Sequence, residues 1–196
     1  HYMNDKEYTN EIINGDIHTT NQMAAGLQSR DESKTFIYAF IYGAGSKKIG
    51  SIIGGSERDG ERVKEKFLRA TPNLRRLREK VDGVAKSNRR WLKGLDQRKI
   101  LIRHPHAALN SLLQGAGACV MKLALTLLDQ YVINNRIKAY PVVNVHDEFQ
   151  YEVESGRAEE FGRLAVQSIR DAGRKLKLRC ELDGQYKIGD NWAETH

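Results

Sequence analysis

The sequence predicts an α+β protein in which helices predominate and the strands form small antiparallel hairpins. Apolar residues recur at helical spacing through most of the 196 residues. Two short alternating runs, residues 141–145 and 149–153, flank a polar tripeptide in the manner of a hairpin. A chain of 196 residues is long enough for one domain with a subdomain.

The predicted elements follow one another with short connections. Gly, Asn and Pro residues mark the breaks, as where Pro72 separates two basic helical segments. Residues 43–55 are rich in Gly, residues 95–103 suit an extended or hairpin piece, and residues 178–192 contain strand-like pieces. The predicted helices are residues 1–10, a short helix containing His18, and residues 30–42, 57–70, 73–91, 107–134 and 157–175.

The helix predicted for residues 30–42 carries the most informative pattern in the chain. Arg30, Lys34, Tyr38 and Tyr42 are four positions apart, so on a helix they form one slowly drifting stripe. The apolar residues between them fall mostly on the opposite side. The sequence thus predicts two cations and two phenols on an open face over an apolar back.

The ends of this helix indicate the ligand. Ser29 followed by Glu32 predicts a capping box, and Gly43 predicts the stop. Arg30 then lies in the first turn, where unpaired N–H groups and the helix dipole favour anions. A nucleoside triphosphate would place phosphates at this end and a base or sugar at the Tyr38 end. The alternative is an amphipathic helix whose cations are merely solvated.

A second candidate site is the tripeptide His146-Asp147-Glu148 at the tip of the predicted hairpin. Carboxylates are hard oxygen ligands, and Mg²⁺ is usually bound by one or two of them together with substrate phosphates. Asp147 is therefore predicted to bind a metal ion. The alternative is an acidic turn that is exposed to solvent and binds nothing.

Three further polar residues are candidates on weaker grounds. His18 follows Asp16 ahead of the triphosphate-type helix, although spacing alone cannot place it near Arg30. Asn110 and Gln114 lie one turn apart on an apolar helix, where base edges in a minor groove would give them partners. A structural His and amides bonded to backbone are the alternatives.

Charge and cysteine content narrow the class of partner. Between residues 61 and 103 there are fifteen Lys or Arg against five Asp or Glu, in a chain with a formal net charge of +7. Such a concentration favours nucleic acid. Two cysteines without metal-type spacing indicate a reducing, cytosol-like compartment. From the sequence, no apolar run is expected to reach the length that crosses a bilayer, so no membrane partner is expected.

Taken together, these motifs resemble DNA polymerase family A, the Pol I family, and most of all its bacteriophage replicative branch. The resemblance implies a right-hand polymerase fold, with residues 11–105 in the fingers and residues 106–196 in the palm. The matching residues, in family order, are Gly15-Asp16-Ile17-His18-Thr19, Arg30-x3-Lys34-x3-Tyr38-x3-Tyr42-Gly43, Leu109-Asn110-x3-Gln114, Val145-His146-Asp147-Glu148, Asn191-Trp192-Ala193 and the closing His196.

The resemblance also implies a role for each site residue. Arg30, Lys34 and His18 would hold the triphosphate of an incoming dNTP, with Tyr38 near the sugar and Tyr42 near the templating base. At the hairpin, Asp147 would bind a pair of Mg²⁺ ions with Glu148 beside it. The residues expected to contact the primer terminus or the DNA are His146, Gln114, Asn110 and Arg103.

The implied reaction is template-directed DNA synthesis in the host cytoplasm, if the protein is phage-encoded. In the family a first metal-binding aspartate precedes the point where this chain starts, so we expect a fragment that is inactive, or nearly so, alone. An upstream portion, in cis or as a second chain, would supply that aspartate, the thumb and any exonuclease. A non-catalytic nucleic-acid binding module and a Mg²⁺-dependent nuclease are the alternative functions.

Overall fold

The computed structural model describes residues 1–195, so the match at His196 lies outside the described residues. These residues form helices α1 to α9 and two antiparallel hairpins, with a 3₁₀ turn at Pro105–Ala107. The helices are α1 (Lys6–Asn14), α2 (Ile17–Ala25), α3 (Arg30–Ile41), α4 (Ser46–Ile52), α5 (Glu57–Ala70), α6 (Pro72–Lys86), α7 (Ala108–Asn134), α8 (Ala158–Lys175) and α9 (Trp192–Thr195). The strands are β1 (Trp91–Lys93), β2 (Lys99–Leu101), β3 (Ala139–Val145) and β4 (Glu148–Val153).

The chain divides into two compact units, the first from His1 to Leu113 and the second from Gln114 onwards. The division falls within α7. The first unit therefore contains α1 to α6 with the β1–β2 hairpin, and the second contains the β3–β4 hairpin, α8 and α9. The assignment of residues 11–105 to fingers and 106–196 to palm stays a prediction.

The first unit has an aromatic core beneath α3. Phe36 and Phe40, on the inner face of α3, contact Phe67 of α5 edge-to-face, with ring centroids 5.3 and 5.5 Å apart. Such edge-to-face pairs add to the stabilisation that apolar burial already provides. Arg78 of α6 covers the Phe40 ring, its guanidinium 4.9 Å from the centroid. The inner face of α3 is thus fixed, and its outer face is exposed.

Helix α4 lies in the Gly-rich segment where the sequence predicted no helix. Its Gly50 packs against the start of α5, and Gly60 of α5 packs against α4 in turn. A Cβ at Gly60 would collide with the Ser46 carbonyl oxygen, and one at Gly50 with the Ser56 carbonyl oxygen. Because these glycines allow two helices to pack closely, tertiary contact outweighs their low helix propensity.

A smaller core lies between α6, the β1–β2 hairpin and the start of α7. Its buried residues are Val81, Ala85, Leu92, Ile102, Ala108, Leu109 and Leu112. The strands pair antiparallel, with Leu92 opposite Ile100. An extended or hairpin piece was predicted only for residues 95–103. The helix predicted for residues 73–91 was too long, because α6 ends at Lys86. Trp91 belongs to β1 because its neighbour Leu92 is buried in this core.

Two predictions at the chain ends are wrong. Helix α1 begins at Lys6 rather than His1, since the Asp5 side chain caps it by accepting the Tyr8 N–H at 3.0 Å. The tail predicted to contain strand-like pieces has no strand among the described residues and ends in α9. Its alternating residues instead contact α8, where Tyr186 lies against Gly162.

Helix α7 also corrects the expectation about apolar length. Together with the 3₁₀ turn, residues Pro105–Asn134 are long and apolar enough to cross a membrane by length and composition. The core helix of a soluble protein passes the same test, so this finding alone is weak evidence for a membrane segment.

Candidate active site

The stripe predicted on α3 is exposed in the structure. The side chains of Arg30 and Lys34 are exposed, and those of Tyr38 and Tyr42 are 51% and 56% exposed. With the described residues, the Lys34 ammonium forms no ion pair. This face therefore offers two cations and two aromatic rings to a ligand.

The first turn of α3 is capped, though not as predicted in full. Ser29 Oγ accepts the Glu32 N–H at 3.1 Å, as expected. The Glu32 carboxylate accepts the N–H of Gln28, at 2.8 Å, and not that of Ser29. The capping-box prediction is thus right for the serine and wrong for the glutamate, which satisfies a donor one residue earlier.

The far end of α3 closes at Gly43, as predicted. Gly43 adopts a φ of 84° and donates its N–H to the Phe40 carbonyl, while Ala44 donates to the Ala39 carbonyl. This is a Schellman motif, which needs a left-handed residue and so favours glycine. A Cβ at Gly43 would also collide with the His106 carbonyl oxygen.

An ion pair joins the start of α3 to the start of α2. Arg30 Nε donates to Asp16 Oδ2 at 2.7 Å, and Arg30 Nη2 donates to Asp16 Oδ1 at 3.3 Å. Asp16 is also the N-cap of α2, where it accepts the N–H of His18 at 3.1 Å and of Thr19 at 3.4 Å. The hydrogen bonds from Arg30 and then from the Thr19 hydroxyl hold the pKa of the Asp16 carboxyl well below its usual range.

His18 is thereby brought to the Arg30 end of α3, which spacing alone could not establish. The link is the Asp16 carboxylate, which binds the His18 backbone and the Arg30 side chain together. His18 Nδ1 is buried and has no hydrogen-bond partner among the described residues. No role was predicted for Asp16, although an Asp just before a helix is a common signal for an N-cap.

The acidic tripeptide lies at a tight turn, as predicted. Val145 pairs with Glu148, which leaves His146 and Asp147 as the two turn residues. His146 has a φ of 53°, a left-handed conformation that is uncommon for residues other than glycine. The register shifts between Pro141 and Val143, so β3 carries a bulge near this turn. Bulges are frequent next to active sites because they redirect side chains.

The two carboxylates at the turn differ in their surroundings. Asp147 is exposed, and with the described residues its carboxylate forms no hydrogen bond or ion pair. Glu148 is half-buried and accepts a hydrogen bond from Gln150 Nε2. Thr195 of α9 in turn donates to Gln150 Oε1 at 3.3 Å. The glutamate is thus held in place while the aspartate is free to bind a cation.

The residues present fit a Mg²⁺ site only in part. Asp147 and Glu148 supply adjacent hard oxygen ligands, which suits a cation that also binds substrate phosphates. Within residues 1–195, however, no group of three or more His, Cys, Asp or Glu side chains could hold a metal ion.

A cavity of about 660 Å³ extends from the hairpin to α8 and the tail. Asp147 and Glu148 lie at its rim, and the Tyr151 and Phe161 rings, 4.9 Å apart, form part of its wall. Tyr186 from the tail donates to Glu159 of α8 at 2.7 Å and closes another side. The contact between Tyr151 of β4 and Phe161 of α8 anchors the hairpin to α8.

The residues predicted to contact DNA lie along α7 and just before it. Asn110 is half-buried, and its Oδ1 is buried without a hydrogen-bond partner among the described residues. Gln114 follows one turn later and is exposed. Arg103 is exposed in the connection between β2 and the 3₁₀ turn. Asn110 and Arg103 belong to the first unit and Gln114 to the second.

The basic segment forms an exposed cationic surface on α5, α6 and the β1–β2 hairpin. The Arg89 guanidinium stacks 3.7 Å from the Trp91 ring centroid, and Lys99 Nζ lies 5.0 Å from the same ring. Some of its cations are paired, as where Arg75 binds Glu65 at 2.9 Å. The cations that form no ion pair with the described residues make a positively charged surface of the kind that suits a polyanion.

The sequence matches one family model along nearly its whole length. The model described as DNA polymerase family A matches residues 4–194. The chain is 42% identical over 97% of its length to the DNA-directed DNA polymerases of Enterobacteria phage T3 and Escherichia phage T7. It is 24% identical over 92% of its length to DNA polymerase I of Bacillus caldotenax.

These relatives are much longer than the chain. The chain covers 30% of the two phage polymerases and 22% of the Bacillus caldotenax polymerase. A solved structure also matches, described as the POL domain of Pol1 from M. smegmatis in complex with DNA primer-template and dNTP. The TM-score is 0.78 at 19% identity, over 88% of this chain and 34% of that one. The likeness confirms the predicted α+β polymerase fold.

Proposed function

Since this chain belongs to DNA polymerase family A, we propose that it carries out template-directed DNA synthesis, adding a nucleotide from a dNTP to a primer 3′-hydroxyl. The observation that carries the proposal is the outer face of α3. Its cations and phenols are exposed in helical register above a core that fixes the helix. A nucleoside triphosphate has the two kinds of group that this face would bind.

The cations of α3 bind the triphosphate in this proposal. Arg30 and Lys34, in the first turns of α3, contact its phosphates, and His18 contacts them from the start of α2. As the primer hydroxyl attacks the α-phosphorus, negative charge develops on the leaving pyrophosphate, and Lys34 and Arg30 stabilise it. Phosphoryl transfer depends on such positioning and electrostatics more than on covalent chemistry.

The phenols at the other end of α3 contact the nucleoside. Tyr38 and Tyr42 lie one and two turns beyond Lys34 and are half exposed. In the proposal Tyr38 packs near the sugar and Tyr42 near the templating base. Selection of the correct dNTP then follows from closure of α3 onto the new base pair, an induced-fit step.

The hairpin carboxylates hold the metal ions. Asp147 is the ligand, because its carboxylate is exposed and not engaged by the described residues, and Glu148 lies beside it. When bound, Mg²⁺ ions at this turn would stabilise the attacking and leaving oxygens. His146, in the same turn, contacts the primer terminus.

The DNA contacts come from α7 and the basic surface. Asn110 Oδ1 is an unpaired acceptor, which suits a donor such as the guanine amino group in the minor groove. Gln114, one turn later, reads the same groove, and Arg103 contacts the backbone. Phosphate contacts of this kind position the duplex without reading its sequence.

A further metal carboxylate is proposed to come from outside these residues. The described part of the chain provides no cluster of three acidic or His ligands, and the phage relatives are about three times as long. On β3, Tyr140 and Val142 are 63% and 62% exposed, an apolar edge that additional palm structure would cover. The proposed partner is an upstream polymerase portion, in cis or as a second chain, with the first metal aspartate and the thumb.

A primer-extension assay tests the function. We expect the reconstituted polymerase, meaning this chain together with the upstream portion, to extend a primer only with template, dNTPs and Mg²⁺. The chain alone should extend it little or not at all. Degradation of DNA without a dNTP requirement would instead identify a nuclease. Salt-sensitive DNA binding without any extension would identify a non-catalytic module.

A further inference from the structure

We propose that Asp16 is a positioning residue for nucleotide binding, which holds one edge of the Arg30 guanidinium so that the other edge faces the triphosphate. The inference rests on the proposed function, since it concerns how Arg30 is prepared for the same ligand. It assigns a role to a residue that touches neither the triphosphate nor the metal ions.

The geometry of the pair leaves Arg30 able to bind a second anion. Asp16 accepts from Arg30 Nε at 2.7 Å and from Nη2 at 3.3 Å, a side-on arrangement. A guanidinium has five N–H donors in a fixed plane. Two are directed at Asp16, so both donors of Nη1 and one of Nη2 remain for phosphate oxygens. Arginine can therefore bind the carboxylate and the triphosphate at the same time.

Asp16 is itself held in place by α2. Its carboxylate accepts the backbone N–H groups of His18 and Thr19 and the Thr19 hydroxyl, the last at 2.8 Å. These contacts fix the carboxylate orientation, and through it the orientation of the Arg30 side chain. A long side chain ordered before binding loses less rotamer freedom when the ligand arrives.

The same carboxylate sets the separation of the two proposed phosphate-binding elements. It bonds the His18 backbone on α2 and the Arg30 side chain on α3, two elements that already pack together. A displacement of about 1 Å in such a site can cost about a hundredfold in rate. Asp16 thus acts on nucleotide binding through Arg30, at the cost of some repulsion between its own charge and the phosphates.

The test is an NMR titration of the 196-residue chain with dTTP, following the Arg30 Nε–H resonance or, in variants without it, the α3 backbone amides. The key variant is Asp16→Asn, because Asn caps a helix as well as Asp but cannot form the ion pair. The matched control is Asp183→Asn. Asp183 likewise accepts an arginine Nε, from Arg170 at 2.9 Å, and a backbone N–H, but it lies in the second unit.

We expect Asp16→Asn to weaken dTTP binding about tenfold, equivalent to about 1.4 kcal/mol, with an unchanged melting temperature. Asp183→Asn should leave binding unchanged. In an Arg30→Ala background, Asp16→Asn should have no further effect, because Asp16 acts through Arg30. That dependence separates positioning from a merely structural role.

The other outcomes separate this inference from the proposed function. Unchanged or tighter dTTP binding by Asp16→Asn, with measurably weaker binding by Arg30→Ala, would overturn the inference and leave the function intact. A further loss in the double variant would show that Asp16 acts independently of Arg30, which also overturns it. If Arg30→Ala binds dTTP as the wild type does, the triphosphate role of α3 is wrong and the proposed function fails first.

Discussion

Replacing Asp147 with alanine is expected to abolish templated DNA synthesis by the reconstituted polymerase, with a loss of at least about 10³-fold in the single-turnover rate. Asp147 is the carboxylate at the hairpin turn that is exposed and not engaged by the described residues. Without it the proposed metal ions, which would stabilise the attacking and leaving oxygens, lose their ligand from this chain. Single-nucleotide incorporation under rapid quench measures the loss.

The matched control for this variant is Glu152→Ala. Glu152 is an exposed carboxylate on β4 of the same hairpin, away from the turn. Its loss should leave the rate within about twofold, because its carboxylate lies away from the turn. Surface substitutions of this kind change the free energy of unfolding by about 0.5 kcal/mol or less. Both variants should melt at the wild-type temperature. Wild-type incorporation by Asp147→Ala would refute the metal assignment.

Replacing Lys34 with alanine is expected to lower kcat/KM for dNTP incorporation by about 10²- to 10³-fold. Lys34 lies one turn after Arg30 on the exposed face of α3, with no ion pair to the described residues. The loss arises because the ammonium stabilises charge that develops on the leaving pyrophosphate. Steady-state and pre-steady-state incorporation kinetics measure it.

Alanine is a better helix former than lysine at this exposed position, so the variant should remain folded. Lys48→Ala provides the control, since Lys48 is an exposed lysine on the neighbouring helix α4. We expect Lys48→Ala to change kcat/KM by less than about threefold. Equal effects of the two substitutions would show that Lys34 contributes only general positive charge. A negligible effect of Lys34→Ala would favour the non-catalytic binding module.

The local features of the site were predictable because they depend on short-range rules. The α3 stripe follows from side chains spaced four residues apart, and the helix ends follow from Ser29 and Gly43. The hairpin follows from the alternation of apolar and polar residues on either side of His146-Asp147-Glu148. Each of these signals lies within a few residues of the structure that it predicts. The structure confirms these elements with small shifts in their ends.

Features that depend on contacts between distant residues were not predictable in the same way. Helix α4 was missed because Gly50 lowers its helix propensity, and the close packing of Gly50 against α5, at Gly60, explains why the helix forms. Asp16 and Arg30 are fourteen positions apart, so their ion pair depends on how α2 and α3 pack. The tail alternates like a strand but finds no strand partner in the described residues, and it packs on α8 instead.

The most direct test of the proposed metal site is iron-mediated cleavage of the reconstituted polymerase bound to primer-template and the next dNTP. Fe²⁺ in place of Mg²⁺, with ascorbate and peroxide, cuts the backbone close to the bound metal. We predict cuts beside Asp147 in the wild type and none there in Asp147→Ala, because this exposed carboxylate is the proposed ligand at the hairpin turn. Equal cutting beside residue 147 in both proteins, or none in either, would contradict the account.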